Sequence, residues 1–208
     1  MARVTNGTPG VVMCGGQGRR LDAAVEKPLF EVGNQPMIDY VLGALADSAL
    51  GPVRAVTSPQ APATQAHLNE QGIACVEAPG EGYVADLSYA LDDVSTPALT
   101  VAADLPLLEP AVIDRVLAAY DGDSVAVYVP AAVKTALGVS YDRTAVCAGR
   151  PAVPAGINLV AGADERPHLS HDVRCAVNVN RQCDAAVAET LACADADGDA
   201  PAGGSDGS

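Results

Sequence analysis

Tryptophan is absent from this 208-residue chain, and aromatic residues make up only 3% of it. Val, Leu, Ile and Ala must therefore fill the core, and a hydrophobic content of 49% is enough to build one. Lysine is nearly missing as well. Lys27 and Lys134 are the only two, and arginine supplies the rest of the positive charge. Against 12 basic residues stand 26 acidic ones, for a net charge of −14. A surface so uniformly negative repels phosphodiester backbones, so no nucleic-acid partner is expected. Acid excess with lysine depletion suits a halophilic, salt-rich setting in which screening removes the self-repulsion. Where lysine is this scarce, one placed beside a functional motif has a task.

Cysteine pairs are missing too. Cys14, Cys75, Cys147, Cys175, Cys183 and Cys193 stand singly, with no Cys-x-x-Cys. That excludes the spacing of a zinc site and points to thiols packed in a reducing cytoplasm. No apolar run is long enough to span a membrane and no signal-peptide pattern is seen, so a cytoplasmic protein without a membrane span is expected. His67, His168 and His171 are scattered, and no Ser-His-Asp set is identifiable.

What is present is a regular alternation of strand and helix signals. Strands are expected at Gly10–Cys14, Val53–Thr57, Ile73–Val76, Ala98–Ala102 and Ser124–Val129. Helices are expected at Pro36–Ser48, Pro62–Gln71, Val84–Val94 and Glu109–Tyr120, the third with Val84, Leu87, Leu91 and Val94 facing inward. After Pro130 the rhythm breaks, and Lys134–Val153 reads as an irregular insertion or small hairpin. Ala155–Val160 and Arg174–Val179 read as two more strands, and Asp184–Ala192 as a closing helix. The alternation predicts an α/β fold, a Rossmann-like three-layer sandwich with a mostly parallel central sheet. Residues 1–194 are read as one domain. From Asp195 to Ser208 the chain is Ala, Asp, Gly, Ser and Pro, and is read as a disordered acidic tail. In such sheets ligands sit at the carboxyl ends of the strands, so the loops after the strands are the places to search.

The first such loop carries the strongest signal. A buried strand runs into Cys14-Gly15-Gly16-Gln17-Gly18-Arg19-Arg20, and Glu26-Lys27-Pro28-Leu29 follows. A turn without side chains lets several backbone N–H groups converge on one phosphate, and the cations after it can neutralise a triphosphate. It is neither G-x-x-x-x-G-K-[ST] nor G-x-G-x-x-G. After the fourth strand comes Ala103-Asp104-Leu105-Pro106. A carboxylate on a rigid strand end is well placed to hold Mg²⁺ against phosphates. Asn178 and Asn180 precede the closing helix, where Asn180 also suits a helix cap. Pro79-Gly80-Glu81-Gly82-Tyr83-Val84-Ala85-Asp86 joins a flexible loop to a helix start, where backbone N–H groups are free for a ligand.

Gly15-Gly16-x-Gly18-x-Arg20 with Lys27-Pro28-Leu29 resembles the signature of the nucleotidyltransferases that activate sugars and cofactors with nucleoside triphosphates. The resemblance implies that Cys14, Gly15, Gly16, Gly18 and Arg19 wrap the triphosphate. It implies that Arg20 and Lys27 neutralise pyrophosphate and α-phosphate, and that Asp104 holds the metal. Asn178 or Asn180 would fill a second polar position at the metal. Gly82-Tyr83-x-x-Asp86-Leu87 and Pro154-Ala155-Gly156-Ile157-Asn158 narrow the match. With Pro36-Met37-Ile38-Asp39-Tyr40-Val41 and Thr57-Ser58-Pro59, they resemble the archaeal GTP:adenosylcobinamide-phosphate guanylyltransferases, over about Val11 to Leu191.

The implied reaction moves GMP from GTP to adenosylcobinamide phosphate in cobamide biosynthesis, with Mg²⁺ as cofactor and a homodimer as one expected assembly. Thr57, Ser58, Glu81, Gly82 and Tyr83 would lie along guanine and ribose, with Glu81, Asp86 or a backbone carbonyl accepting from the base. Gly156 would let the backbone approach a ligand closely. Lys134–Arg150 is unmatched and is a candidate contact for the corrinoid. Two alternatives stay open: a molybdenum-cofactor guanylyltransferase, which shares the glycine loop and aspartate, and a GTP-binding protein without chemistry.

Overall fold

The computed structural model describes residues 7–15, 20–92, 94–162 and 164–198, with residues 195–198 described by backbone alone. Gly16, Gly18 and Arg19 lie outside the described residues, as does the tail from residue 199. In chain order the elements are β1 (Gly10–Met13), β2 (Glu31–Val32), β3 (Gln35–Pro36), α1 (Met37–Ala46), β4 (Val53–Thr57), α2 (Pro62–Glu70), β5 (Ala74–Glu77), α3 (Tyr83–Leu91), β6 (Ala98–Ala102), α4 (Pro110–Ala118), β7 (Ser124–Pro130), α5 (Ala131–Leu137), β8 (Ala145–Cys147), β9 (Arg150–Val160), β10 (Glu165–Leu169) and α6 (Gln182–Gly198). Short 3₁₀ turns sit at Lys27–Leu29 and Val173–Cys175.

The main sheet runs in the order β10-β7-β9-β6-β1-β4-β5, with β8 paired to β9. Parallel pairs join β1 to β4 and β6, β4 to β5, and β7 to β10. Strand β9 enters antiparallel between β6 and β7. Side chains on β1 alternate between two cores, as a pleated strand buried on both faces requires. Val12 packs with Ile38, Val41 and Leu45 of α1, Leu68 of α2, and Ile113 and Val116 of α4. Val11 and Met13 pack on the opposite side with Ala90 and Leu87 of α3 and with Val94. This is the expected three-layer α/β arrangement.

The differences from the sequence expectations have physical causes. Arg174–Val179 is not a strand. Both edges of β6 are already occupied, by β1 and β9, so no ladder position remains for this segment beside Asp104. It begins instead as a turn in which the Asp172 carboxylate accepts from Arg174 N at 3.0 Å, and then crosses the strand ends, with Val179 N donating to Asp104 O at 3.0 Å. Glu165–Leu169, which carries Pro167, is a strand. It occupies the end of the sheet, where a missing N–H costs little.

The Lys134–Val153 stretch holds the expected hairpin, β8 with β9, turned by Ala148 and Gly149 with φ of 50° and 74°. That double positive φ is the hairpin-turn geometry matching strand twist. The stretch also carries the end of helix α5, which composition did not signal and which Gly138 terminates at φ 73°. Val84 does not face inward: it is 75% exposed, and Asp86 and Ala90 take the buried side of α3. The backbone of α6 continues to Gly198, into the stretch expected to be disordered from Asp195.

Candidate active site

Because β1 and β6 are parallel neighbours in register, Met13 opposite Ala102, the turns after them emerge side by side. Gly15 and Asp104 therefore share one mouth. The turn after β1 is anchored by Cys14 N donating to Val56 O at 2.8 Å, and the turn after β6 by Ala103 N donating to Met13 O at 3.2 Å. The Cys14 thiol is buried, and burial raises its pKa far above the ordinary range, so it contributes packing and backbone rather than a thiolate.

Lys27 reaches the same mouth from its 3₁₀ turn. Its ammonium donates to Asp104 Oδ2 at 2.6 Å and to Asn180 Oδ1 at 2.7 Å. Glu26 fixes that turn. Helix α2 starts at Pro62, which has no N–H, and Ala61 before it offers no side-chain cap. Glu26 fills the gap by accepting from Ala63 N at 2.9 Å, Thr64 N at 2.7 Å and Thr64 Oγ1 at 2.6 Å. A carboxylate at a helix N-terminus is favoured by both hydrogen bonds and dipole. Glu26→Ala is expected to cost about 1–2 kcal/mol, read as a melting temperature lowered by about 3–6 °C. Without its neighbour's anchor, Lys27 should also be held less firmly at Asp104 and Asn180, and on the transferase reading proposed below the KM for the nucleotide should rise in steady-state assays.

Asn178 and Asn180 are both used, in different ways. Asn178 Nδ2 donates to Asp104 Oδ1 at 3.1 Å and to Ala155 O at 3.0 Å. Its Oδ1 accepts from Lys134 Nζ at 3.0 Å, which fixes the amide orientation. Lys134, on α5, is only 1% exposed. Burial lowers its pKa, against the opposing pull of the Asp104 and Asp184 charges. Both lysines of a lysine-poor chain therefore converge on Asp104, one directly and one through Asn178. Lys134 opens the Lys134–Arg150 stretch expected as a corrinoid contact, but sequence patterning did not single it out. Its rarity was the available signal.

A fully buried carboxylate locks this segment. Asp184, in the first turn of α6, accepts from Ser140 N and Ser140 Oγ at 2.7 Å each, from Asn180 N at 3.0 Å and from Arg181 N at 2.9 Å. Burial alone would raise its pKa, but these bonds hold it below the usual carboxylate range.

Two cavities meet at Asp104. The smaller, about 250 Å³, is lined by Cys14, Gly15, Lys27, Tyr83, Asp86 and Asp104 among others. The larger, about 510 Å³, shares Tyr83 and Asp104 and extends to Arg20, Lys134, Ser140–Arg143, Gly156 and Asn158. Among the described residues, four basic ones, Arg20, Lys27, Lys134 and Arg143, line these cavities beside three acidic ones, Asp86, Asp104 and Asp142. The site is thus the place where the chain's negative excess is locally cancelled.

Of the remaining expected residues, some fall around this mouth and others do not. Arg20 sits at the rim of the larger cavity, ion-paired to Asp142, which Arg181 also approaches at 3.6 Å. Asp86 is buried. Its Oδ1 accepts from Gly80 N at 2.8 Å and Glu81 N at 3.3 Å, shaping the loop before α3. Tyr83 is half-exposed, and partial burial of its ring raises the pKa of its hydroxyl. Gly82 opens α3 at φ 121°, and Glu81 is exposed. Neither lines the two cavities, nor do Thr57 and Ser58, which are buried at the end of β4. Thr57 Oγ1 is buried without a hydrogen-bond partner among the described residues. Gly156 has φ 78°, and a Cβ there would lie 3.0 Å from Ala102 Cβ and 3.4 Å from Asn178 Nδ2. It sits where the β7–β9 register shifts, so it is a bulge that also lines the larger cavity.

Residues 10–166 match the MobA-like NTP transferase domain. The chain belongs to this nucleotidyltransferase family. It is 28% identical over 197 residues to the adenosylcobinamide-phosphate guanylyltransferase of Methanocaldococcus jannaschii, covering 87% of this chain and 95% of that protein. It is 31% identical over 116 residues to the bifunctional protein GlmU of Maricaulis maris, covering 54% of this chain but 26% of that one. Among solved structures, a CMP:2-keto-3-deoxy-manno-octonic acid synthetase complexed with CTP aligns over 92% of this chain and 100% of its own, with a TM-score of 0.67 and 12% identity. A putative glucose-1-phosphate thymidylyltransferase from Bacillus anthracis aligns over 89% and 95%, with a TM-score of 0.63 and 13% identity. These likenesses show the fold, that of the nucleotide-diphospho-sugar transferases. Among the described residues no helix is long and apolar enough to cross a membrane.

Proposed function

We propose that this nucleotidyltransferase moves GMP from GTP to adenosylcobinamide phosphate, releasing pyrophosphate. The observation that supports the reading is the nearly end-to-end similarity to an adenosylcobinamide-phosphate guanylyltransferase, over 87% of this chain and 95% of that protein. An oxygen of the acceptor phosphate attacks the α-phosphorus of GTP. One P–O bond forms, the α–β bridging P–O bond breaks, and pyrophosphate departs with the electron pair. The attacking oxygen is already anionic, so no general base is required. The work of the protein is positioning and electrostatics. In this reading Lys27 and Arg20 offset the charge gathering on pyrophosphate, and the backbone of the glycine turn orients the phosphates.

Mg²⁺ is proposed as the cofactor. Asp104 Oδ2 and Asn180 Oδ1 converge on one point, held by the Lys27 ammonium, and both are hard oxygen donors of the kind Mg²⁺ uses. Asn178 fits less well, since its oxygen is turned to Lys134 and its NH₂ faces Asp104. When bound, the ion would polarise phosphate oxygens and neutralise their charge.

Purified protein supplied with Mg²⁺ and adenosylcobinamide phosphate should release pyrophosphate with GTP at least about tenfold faster than with ATP or CTP, a margin set by base-specific hydrogen bonds. Transfer to molybdopterin in place of the corrinoid would replace this reading with the molybdenum-cofactor one. GTP binding without pyrophosphate release from any acceptor would end it.

A further inference from the structure

Lys134 makes no ion pair among the described residues. Its ammonium is buried, its one hydrogen bond among them goes to the neutral Asn178 amide, and the Asp104 and Asp184 carboxylates act on it only from beyond ion-pair distance. A buried charge left in that state is costly unless an anion completes it. The space beside it is the larger cavity, which Lys134 lines together with Arg143, a second cation without an ion-pair partner among the described residues. Ser140, Tyr141 and Asn158 add hydroxyl and amide groups to the same wall. This cavity adjoins the smaller one at Asp104 and Tyr83, so an anion held in it lies next to whatever phosphate sits at Asp104 and Lys27. Bringing a second phosphate there, in a chain of net charge −14, needs dedicated positive charge.

We propose that Lys134 and Arg143 form the subsite for the acceptor's phosphate, a phosphomonoester dianion seated against the Lys134 ammonium with Arg143 at the rim. The inference rests on the transferase reading of this site and adds to it which cations receive the second substrate. Lys27 serves the nucleotide, and Lys134 serves the attacking group.

The test measures equilibrium binding of adenosylcobinamide phosphate, adenosylcobinamide and GTP to the full chain, its Lys134→Met variant and its Arg143→Met variant. The expected result is a loss of roughly tenfold to a hundredfold for the phosphorylated corrinoid, with the unphosphorylated corrinoid and GTP held as in the parent. Methionine fills the lysine's volume without the charge, and thermal melting checks that the variant is folded. Arg143 lies on an exposed loop, so its variant carries the test if Lys134→Met does not fold. Equal weakening of both corrinoids, weakening of GTP instead, or no change overturns the proposal. A purely structural Lys134 would lower turnover at saturating substrates without selecting the phosphorylated acceptor, which also overturns it. If the parent binds no corrinoid, the proposed substrate is wrong. Inorganic phosphate titrated by ³¹P NMR then decides the subsite alone: phosphate binding lost in Lys134→Met supports it, and identical titrations sink it.

Discussion

Replacing Asp104 with asparagine is expected to lower nucleotidyl transfer at saturating substrates by about a hundredfold or more, the usual loss when one preorganised electrostatic group is removed. The change is nearly isosteric, so the strand end should survive it. Its chemistry is nevertheless severe. Asp104 receives two donors, Lys27 Nζ on one oxygen and Asn178 Nδ2 on the other. An amide can accept only one of them and must turn its own NH₂ toward the second. Lys27 then loses its carboxylate partner, and the proposed metal loses its charged ligand. Lys27→Ala should produce a loss of similar size. Since the two groups touch, the double variant should be far less impaired than the product of the single losses. Pyrophosphate release under single-turnover conditions measures all three proteins. Near-normal rates in either single variant would remove Asp104 and Lys27 from the chemistry.

Asp184→Ala should cause the largest loss of stability. Four N–H and O–H donors from two separate segments end on this one buried carboxylate, and removing it leaves backbone N–H groups of Ser140, Asn180 and Arg181 without their acceptor. The cost is expected to be about 3 kcal/mol or more, a fall in melting temperature of about 6–12 °C for a chain of this size. The carboxyl is more acidic folded than unfolded, so as pH falls the unfolded chain takes up the proton first. Its stabilisation is complete above the ordinary carboxylate pKa and is lost as pH drops through the lowered folded value. The variant should therefore show a shallower decline of melting temperature on the acid side than the parent. A parent and variant with parallel acid limbs would show that Asp184 is not the titrating lock. Because Asp184 also seats Asn180, the variant's remaining folded fraction should bind nucleotide less firmly.

The glycine-turn side of the mouth was legible because its residues lie in two short contiguous patterns, each following a buried strand. Gly15, Lys27 and Asp104 could be located from strand assignments alone, and the structure brings them to one mouth. The opposite wall was not legible in that way. Lys134 stands in a helix of ordinary composition, and its partner Asn178 is 44 residues away in sequence. Asn178 and Asn180 were read as competing candidates, yet each has its own contact, Asn178 with Asp104 and Lys134, and Asn180 with Lys27. The Arg174–Val179 segment was itself misread. Its Val and Cys suggest a strand, and only the crowding of β6 on both edges explains why it is none. Strand β10 was hidden by Pro167, whose meaning depends on the strand being terminal. Glu26 looked like motif spelling, and its role appears only when α2 is found to begin without a cap of its own.

The two cavities are written by different lengths of chain. Every described residue lining the smaller one comes from residues 13–104, whereas the larger one, beyond Arg20 and the residues at Tyr83, Ala102 and Asp104 that both share, is lined only by residues from Lys134 onward. The two walls of the mouth are thus drawn largely from different lengths of chain, joined where Asn178 meets Asp104 and Asn180 meets Lys27. Under the proposed transfer, changes confined to the later stretch would reshape the recipient's wall as long as those two amide contacts are kept.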